Sequence, residues 1–281
     1  MMQTLVSTQW LEAELGAPDL LVLDASSHLP TAQRDAASEF AVAHIPGARF
    51  LALKSLTDPE NSVPSAPPTR AQFDAHMAKL GVSEEQRIVL YDNSDLRSSA
   101  RAWFLLRLFG VTRTAILDGG LQKWLAEARP VEAGEAHTKS SDFASEGGTG
   151  TIRYKADMLA NIDSRTEQVV DARGAARFTG EEGDFRPGVS NGHIPGSRNL
   201  PFGEVLNPDG TFKSAAQIRA AFAEAGVDID GPVTTTCGSG ITASVLLFAM
   251  YLAGREGALY DGSWSEWGSD PDLPVATGPA E

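Results

Sequence analysis

Short aliphatic and β-branched runs alternate with longer amphipathic stretches along the whole chain. Leu21-Val22-Leu23, Ile88-Val89-Leu90-Tyr91, Val169-Val170 and Val233-Thr234-Thr235-Thr236 have the length and composition of buried strands. Between such runs, apolar positions recur at helical spacing over 97–109, 215–225 and 243–253, and Gly226 stands where a C-cap glycine would. The alternation predicts an α/β fold, with a mostly parallel central sheet and helices on both faces. Segment 54–70, with Pro59, Pro64, Pro67 and Pro68, reads as an irregular surface connection.

The pattern occurs twice. Leu21-Val22-Leu23-Asp24 matches Val169-Val170-Asp171, and His44-Ile45-Pro46-Gly47 matches His193-Ile194-Pro195-Gly196. Ile88-Val89-Leu90-Tyr91-Asp92 matches the run from Val233 to Cys237. Leu117-Asp118-Gly119-Gly120 with Trp124 matches Tyr260-Asp261-Gly262-Ser263 with Trp267. Landmarks repeated in order at about half the chain length imply duplication into two tandem domains. The polar stretch 132–150, with Ser140-Ser141 and Gly147-Gly148, reads as the connection between them.

Composition narrows the chemistry. A chain of 281 residues, 42% hydrophobic and 21% charged, suits two ordinary soluble domains. A net charge of −14 argues against nucleic-acid binding through a basic surface. No signal peptide or membrane span is visible, and one cysteine suits a reducing compartment, so a cytoplasmic location is expected. Five scattered histidines and one cysteine lack zinc-ligand spacing, and no phosphate loop or dinucleotide fingerprint occurs. Neither a metal nor an organic cofactor is expected.

The one cysteine lies in Cys237-Gly238-Ser239-Gly240-Ile241-Thr242-Ala243, between a strand and a helix. Glycines strip bulk from around the sulfur, and the amides at a helix start favour an anion, which suits a thiolate nucleophile. A buried inert cysteine beside a structural turn is the plainer alternative. The matching residue in the first half is Asp92, which cannot serve as a thiolate, so one half keeps the nucleophile. A cysteine phosphatase would need an arginine where Ala243 stands.

Taken together, these residues resemble the tandem rhodanese (sulfurtransferase) family, and the match covers nearly the whole chain. Its marks are His-Ile-Pro-Gly, the Cys-Gly-Ser-Gly-Ile-Thr-Ala loop and Gly262-Ser263-Trp264-Ser265-Glu266-Trp267. The resemblance implies an inactive rhodanese-like domain over 1–135, a linker over 136–150 and a catalytic rhodanese domain over 151–281. It implies a persulfide formed on Cys237 and cradled by Gly238, Ser239, Gly240, Ile241 and Thr242. Thiosulfate enzymes of the family carry basic residues where Gly238 and Ser239 stand, so the loop looks like the 3-mercaptopyruvate type. Arg177 and Arg186 match the arginines that grip that donor's carboxylate and ketone. The plainer reading makes them exposed partners of Glu181, Glu182 and Asp184.

The resemblance further implies sulfur delivery to a thiol such as thioredoxin, or to cyanide, with release of pyruvate. Thiosulfate as donor, or a non-catalytic persulfide carrier, are the alternatives. Ser239, His44 and Asp35 match a suggested Ser–His–Asp proton relay, although His193 repeats His44 in the other half and favours a structural role for both. Arg173 is read as supporting a strand end through a salt bridge, Thr242 as capping the following helix, and Trp264 and Trp267 as core anchors.

Overall fold

The computed structural model describes residues 2–134 and 138–280, and the chain divides into two compact units. Unit 1 comprises Met1–Pro59, Pro67–Gly150 and Pro208–Thr211; unit 2 comprises Glu60–Ala66, Thr151–Asn207 and Phe212–Glu281. The boundary expected between 135 and 136 lies outside the described residues.

Unit 1 has strands β1 (Leu5–Val6), β2 (Leu20–Asp24), β3 (Arg49–Phe50), β4 (Arg87–Tyr91) and β5 (Thr114–Leu117). Its helices are α1 (Thr8–Glu14), α2 (Ala36–Val42), α3 (Arg70–Lys79), α4 (Ser99–Leu108) and α5 (Gly120–Ala126). Unit 2 repeats the scheme with β6 (Thr151–Arg153), β7 (Gln168–Asp171), β8 (Arg198–Asn199), β9 (Val233–Thr236) and β10 (Ala258–Tyr260). The helices of unit 2 are α6 (Lys155–Ser164), α7 (Ala175–Thr179), α8 (Ala215–Glu224), α9 (Ile241–Leu252) and α10 (Ser263–Trp267). The sheet orders, β1-β5-β4-β2-β3 and β6-β10-β9-β7-β8, are the same permutation, and the paired strands are parallel.

Alternation across the pleat explains why these strands are apolar on both faces. In unit 1, Val22, Val89 and Ala115 lie in one register row and pack with Leu11 of α1, Phe40 of α2 and Trp124 of α5. The other row, Leu23, Leu90 and Ile116, is equally buried and points to the opposite face. Helices end where the chain supplies terminators: Ser214 and Gln217 form a capping box at the start of α8, and Gly226 follows its end at φ +75°. Segment 54–70 is irregular beyond one short 3₁₀ turn at Leu53–Ser55, as its prolines require.

Segment 138–150, read from the sequence as a connection between the domains, has neither helix nor strand, yet it belongs to unit 1 and is bonded to its helices. Ser141 N–H donates to Ala78 O (2.9 Å), Ser145 N–H to Asp74 (3.0 Å) and Thr149 N–H to Arg107 O (3.2 Å). A Cβ on Gly148 would sit 1.8 Å from Arg107 O, so glycine there permits close approach to α4, not free motion. Among the described residues, no helix is long and apolar enough to cross a membrane.

Candidate active site

Parallel order brings the carboxyl ends of β7 and β9 side by side, with Asp171 opposite Thr236. Residues that follow these two strands therefore meet at one edge of unit 2. After β9 the chain runs through Cys237-Gly238-Ser239-Gly240 into α9. Cys237 is buried at 2% exposure, whereas Gly238 and Ser239 are partly exposed above it.

The start of α10 clasps this loop from beneath. Ser263 Oγ accepts from Cys237 N–H (3.2 Å) and Gly240 N–H (3.1 Å) and donates to Tyr260 O (2.9 Å). Trp264 N–H donates to Cys237 O and Ser265 N–H to Gly238 O, both at 2.9 Å. The first-turn amides of α9, at Ile241 and Thr242, have no intrahelical acceptor and form a donor group at the cysteine end of the helix. Ser263 holds φ +51°, a conformation that is costly for a residue with a Cβ.

Thr242 does not cap α9. The cap residue is Gly240 at φ +78°, and Thr242 already lies within the first turn. The reversal after Ser239 demands a left-handed residue, so glycine takes the position where a hydroxyl cap would otherwise stand.

Arg177 projects from α7 and Arg186 from the loop beyond it, and both reach Gly238. The Cβ of a larger residue at 238 would lie 3.5 Å from Arg186 Nη2 and 3.9 Å from Arg177 Nη2. Asp184 joins the two guanidiniums. Its side chain is 1% exposed, Oδ1 accepts from Arg186 N–H and Nη1 (each 3.0 Å), and Oδ2 accepts from Arg177 Nη2. Burial opposes this carboxylate's charge, but the Arg186 amide and both cations prevail and hold its pKa below the usual range. The Phe185 ring lies against both cations, 4.4 Å from Arg186 Cζ and 5.5 Å from Arg177 Cζ.

Arg173 is buried, ion-paired with Asp171 at 2.7 Å, bonded to Gly192 O at 2.7 Å, and stacked 4.5 Å from the Trp264 ring. It ties the end of β7 to the helix that clasps the loop. Trp264 and Trp267 are core anchors whose indole N–H groups donate to Ser190 O and Pro274 O.

Unit 1 repeats the frame with different contents. Asp92 replaces Cys237, and its carboxylate accepts from Ser94 N–H (2.9 Å) and Ser99 N–H (2.8 Å), the latter in the first turn of α4. Its carbonyl accepts from Leu121 N–H at 2.9 Å, as Cys237 O accepts from Trp264.

His44 is buried and stacked on Phe40 at 3.9 Å; its Nδ1–H donates to Phe40 O (2.7 Å), and Nε2 meets Glu132 at 3.2 Å. His193 repeats the stacking on Phe178 at 3.7 Å and the bond to Phe178 O at 2.9 Å. Asp35 caps α2, accepting from Ser38 N–H at 2.7 Å, a bond that lowers its carboxyl pKa. Other groups engage both ring nitrogens of His44, so the structure does not bring Asp35 to it.

Cys237, Gly238, Ser239, Gly240, Ile241 and Thr242 thus share one loop and helix start, and Arg177 and Arg186 stand over it. Ser263 is the participant the sequence reading omits, though it is readable from its replacement of Gly120; Asp184 is named there as an acidic partner of the two arginines, but as an exposed one. Among the described residues, no three His, Cys, Asp or Glu side chains converge to hold a metal ion.

The rhodanese-like domain model matches residues 7–127 and again 155–270. The chain belongs to the rhodanese family. It is 40% identical over 272 residues to the mouse 3-mercaptopyruvate sulfurtransferase, covering 94% of this chain and 92% of that protein. It is 38% identical over 272 residues to the thiosulfate sulfurtransferase of Gallus gallus, covering 94% and 93%. The crystal structure of SseA from Escherichia coli, described with the 3-mercaptopyruvate sulfotransferases, superposes with TM-score 0.84 at 34% identity, covering 94% of this chain and 100% of that one. Each half of the chain is therefore a rhodanese-like domain.

Proposed function

We propose that this rhodanese moves a sulfur atom from 3-mercaptopyruvate to a thiol or cyanide acceptor through a persulfide on Cys237. The Cys237 thiolate attacks the donor sulfur, forming an S–S bond while the carbon–sulfur bond breaks. The released electron pair remains on carbon as the enolate of pyruvate, and the thiol proton neutralises it. An acceptor such as thioredoxin then takes the outer sulfur and regenerates the thiolate.

The observation that carries this reading is the arginine pair over Gly238. A carboxylate held by a guanidinium fork there sets the rest of a short donor toward the loop. Positions 238 and 239 themselves bring no cation to meet a charge on the transferring sulfur. The outer persulfide sulfur would lie among the loop and first-turn amides from Gly238 to Thr242. Asp92 supports this assignment, because the corresponding part of unit 1 binds an anion with backbone N–H groups.

Ser239, partly exposed beside the nucleophile, is our candidate for hydrogen bonding to the donor. We assign His44 and Asp35 to the scaffold of unit 1, on the engaged ring nitrogens of the first and the capping role of the second. The single cysteine leads us to place the protein in the cytoplasm, which fractionation of cells would check.

The Gallus gallus relative favours thiosulfate as the second reading. The ratio of kcat/KM for the two donors decides between them: a preference for 3-mercaptopyruvate supports the proposal, and a preference for thiosulfate overturns it. Incubation with donor alone should add the mass of one sulfur atom to the Cys237 peptide, and Cys237→Ser should abolish that adduct and turnover.

A further inference from the structure

We infer that Asp184 sets donor selectivity by neutralising one of the two guanidiniums, leaving the anion site with a net charge matched to a monoanion. This inference rests on the proposed role of Arg177 and Arg186. It concerns a residue that touches those arginines and not the transferred sulfur.

The two cations are not equivalent to an open doubly positive clamp. The Asp184 side chain is the buried member of the group at 1% exposure, while the side chains of Arg177 and Arg186 are 21% and 26% exposed. One carboxylate oxygen is held by the backbone and side chain of Arg186, and the other meets both guanidiniums. The partly exposed Phe185 ring lies against the same two cations, so each guanidinium is contacted by the ring as well as by the carboxylate. Two positive charges and one negative leave a single positive charge facing Gly238, to which positions 238 and 239 add none.

A ketoacid thiol brings one carboxylate and a neutral sulfhydryl. Its charge is fully met by the site. Thiosulfate brings two negative charges, one of which remains unmatched in a partly desolvated pocket, where electrostatic interactions are stronger than in bulk water. The buried aspartate therefore works as a charge filter as well as a brace. Its oxygens bond Arg186 Nη1 and Arg177 Nη2, which are also among the atoms nearest Gly238, so the charge it removes is charge a donor there would meet.

Asp184→Asn tests the filter, because it keeps the shape and one carbonyl acceptor while removing the charge. We expect the thiosulfate-to-mercaptopyruvate ratio of kcat/KM to rise by roughly ten- to hundredfold, through a lower KM for thiosulfate. Asp184→Glu, which keeps the charge, should hold the ratio near that of the unaltered protein. If Asp184→Asn lowers both donors equally, or leaves the ratio unchanged, Asp184 is only a brace and the inference falls. Product-like anions supply a check that needs no variant. In the unaltered protein, pyruvate should inhibit at lower concentration than the dianion oxalate; the reverse order overturns the charge match. Failure of the proposed function appears elsewhere, as an unaltered protein that prefers thiosulfate outright.

Discussion

Ser263→Gly and Ser263→Ala separate the two things this buried residue does. Its Oγ accepts from Cys237 and Gly240, and its backbone holds φ +51° at the entrance to α10. Removing the oxygen leaves two buried N–H groups without their acceptor, at a cost of about 1–3 kcal/mol each. Glycine recovers about 1–2 kcal/mol by relieving the left-handed backbone, whereas alanine recovers nothing. The glycine variant should therefore be destabilised by between about 0 and about 5 kcal/mol and the alanine variant by about 1–2 kcal/mol more. This order inverts ordinary helix propensity, which favours alanine over glycine by about 1 kcal/mol. Denaturant unfolding of the three proteins measures the order. Alkylation of Cys237 and single-turnover pyruvate release measure the loop, and both should slow in each variant because Cys237 and Gly240 lose their common anchor. An alanine variant more stable than the glycine variant would refute the strain argument. Undiminished sulfur transfer in both would show that the loop keeps its form without Ser263.

Arg177→Ala and Arg186→Ala should each lower kcat/KM for 3-mercaptopyruvate by roughly ten- to hundredfold, the value of a charge-assisted hydrogen bond, and affect thiosulfate less; steady-state kinetics with both donors checks this. His44→Asn should lower the melting temperature, through lost stacking on Phe40, while kcat per folded molecule stays near that of the unaltered protein; a large loss of kcat at unchanged stability would restore a proton-transfer role. Burial raises the Asp24 pKa from 3.8 to about 6, against hydrogen bonds from Ser26 and Tyr91. Between these values the folded protein holds the proton more tightly than the unfolded chain, so this group's contribution to stability falls as pH rises from about 4 to 6. Asp24→Asn should flatten that slope and raise stability at pH 7 by up to about 3 kcal/mol, read from unfolding curves across that range.

The parts of the fold legible in the sequence are those set by local pattern. Strand runs, the helices near 97–109, 215–225 and 243–253, and the duplicated landmarks all follow from spacing and turn chemistry within a few residues. The cysteine loop was legible for the same reason, since a strand, two glycines and a helix are contiguous. What escaped depends on residues far apart in the chain. Asp184 reads as one more acid in a polar loop until folding buries it against Arg177. The hydroxyl of Ser263 gains its meaning only when α10 comes under Cys237. The glycines and serines of 138–150 suggest a loose spacer, but close approach of Gly148 to Arg107 O makes them a packed strap on unit 1. Thr242 was misjudged for a conformational reason, because the tight reversal at Gly240 claims the cap position.

Duplication supplies an internal control for the chemistry. Both halves share sheet order, the buried histidine stacked on phenylalanine, and a backbone clasp from the last helix onto the residue that ends the fourth-strand turn. These features cannot by themselves make a nucleophile, since unit 1 has them all. The differences fall at the reacting edge. Unit 1 fills its anion-holding amides with its own Asp92 carboxylate, and at the position of Ser263 it has Gly120, whose φ of +59° shows the same left-handed demand without a hydroxyl. Unit 2 keeps a serine there despite the backbone cost, and that oxygen engages the cysteine's own amide. A residue present at a strained position that glycine fills in unit 1 is held there by what its side chain does for the loop. The contrast between Gly120 and Ser263 thus separates the requirements of the fold from those of the sulfur site.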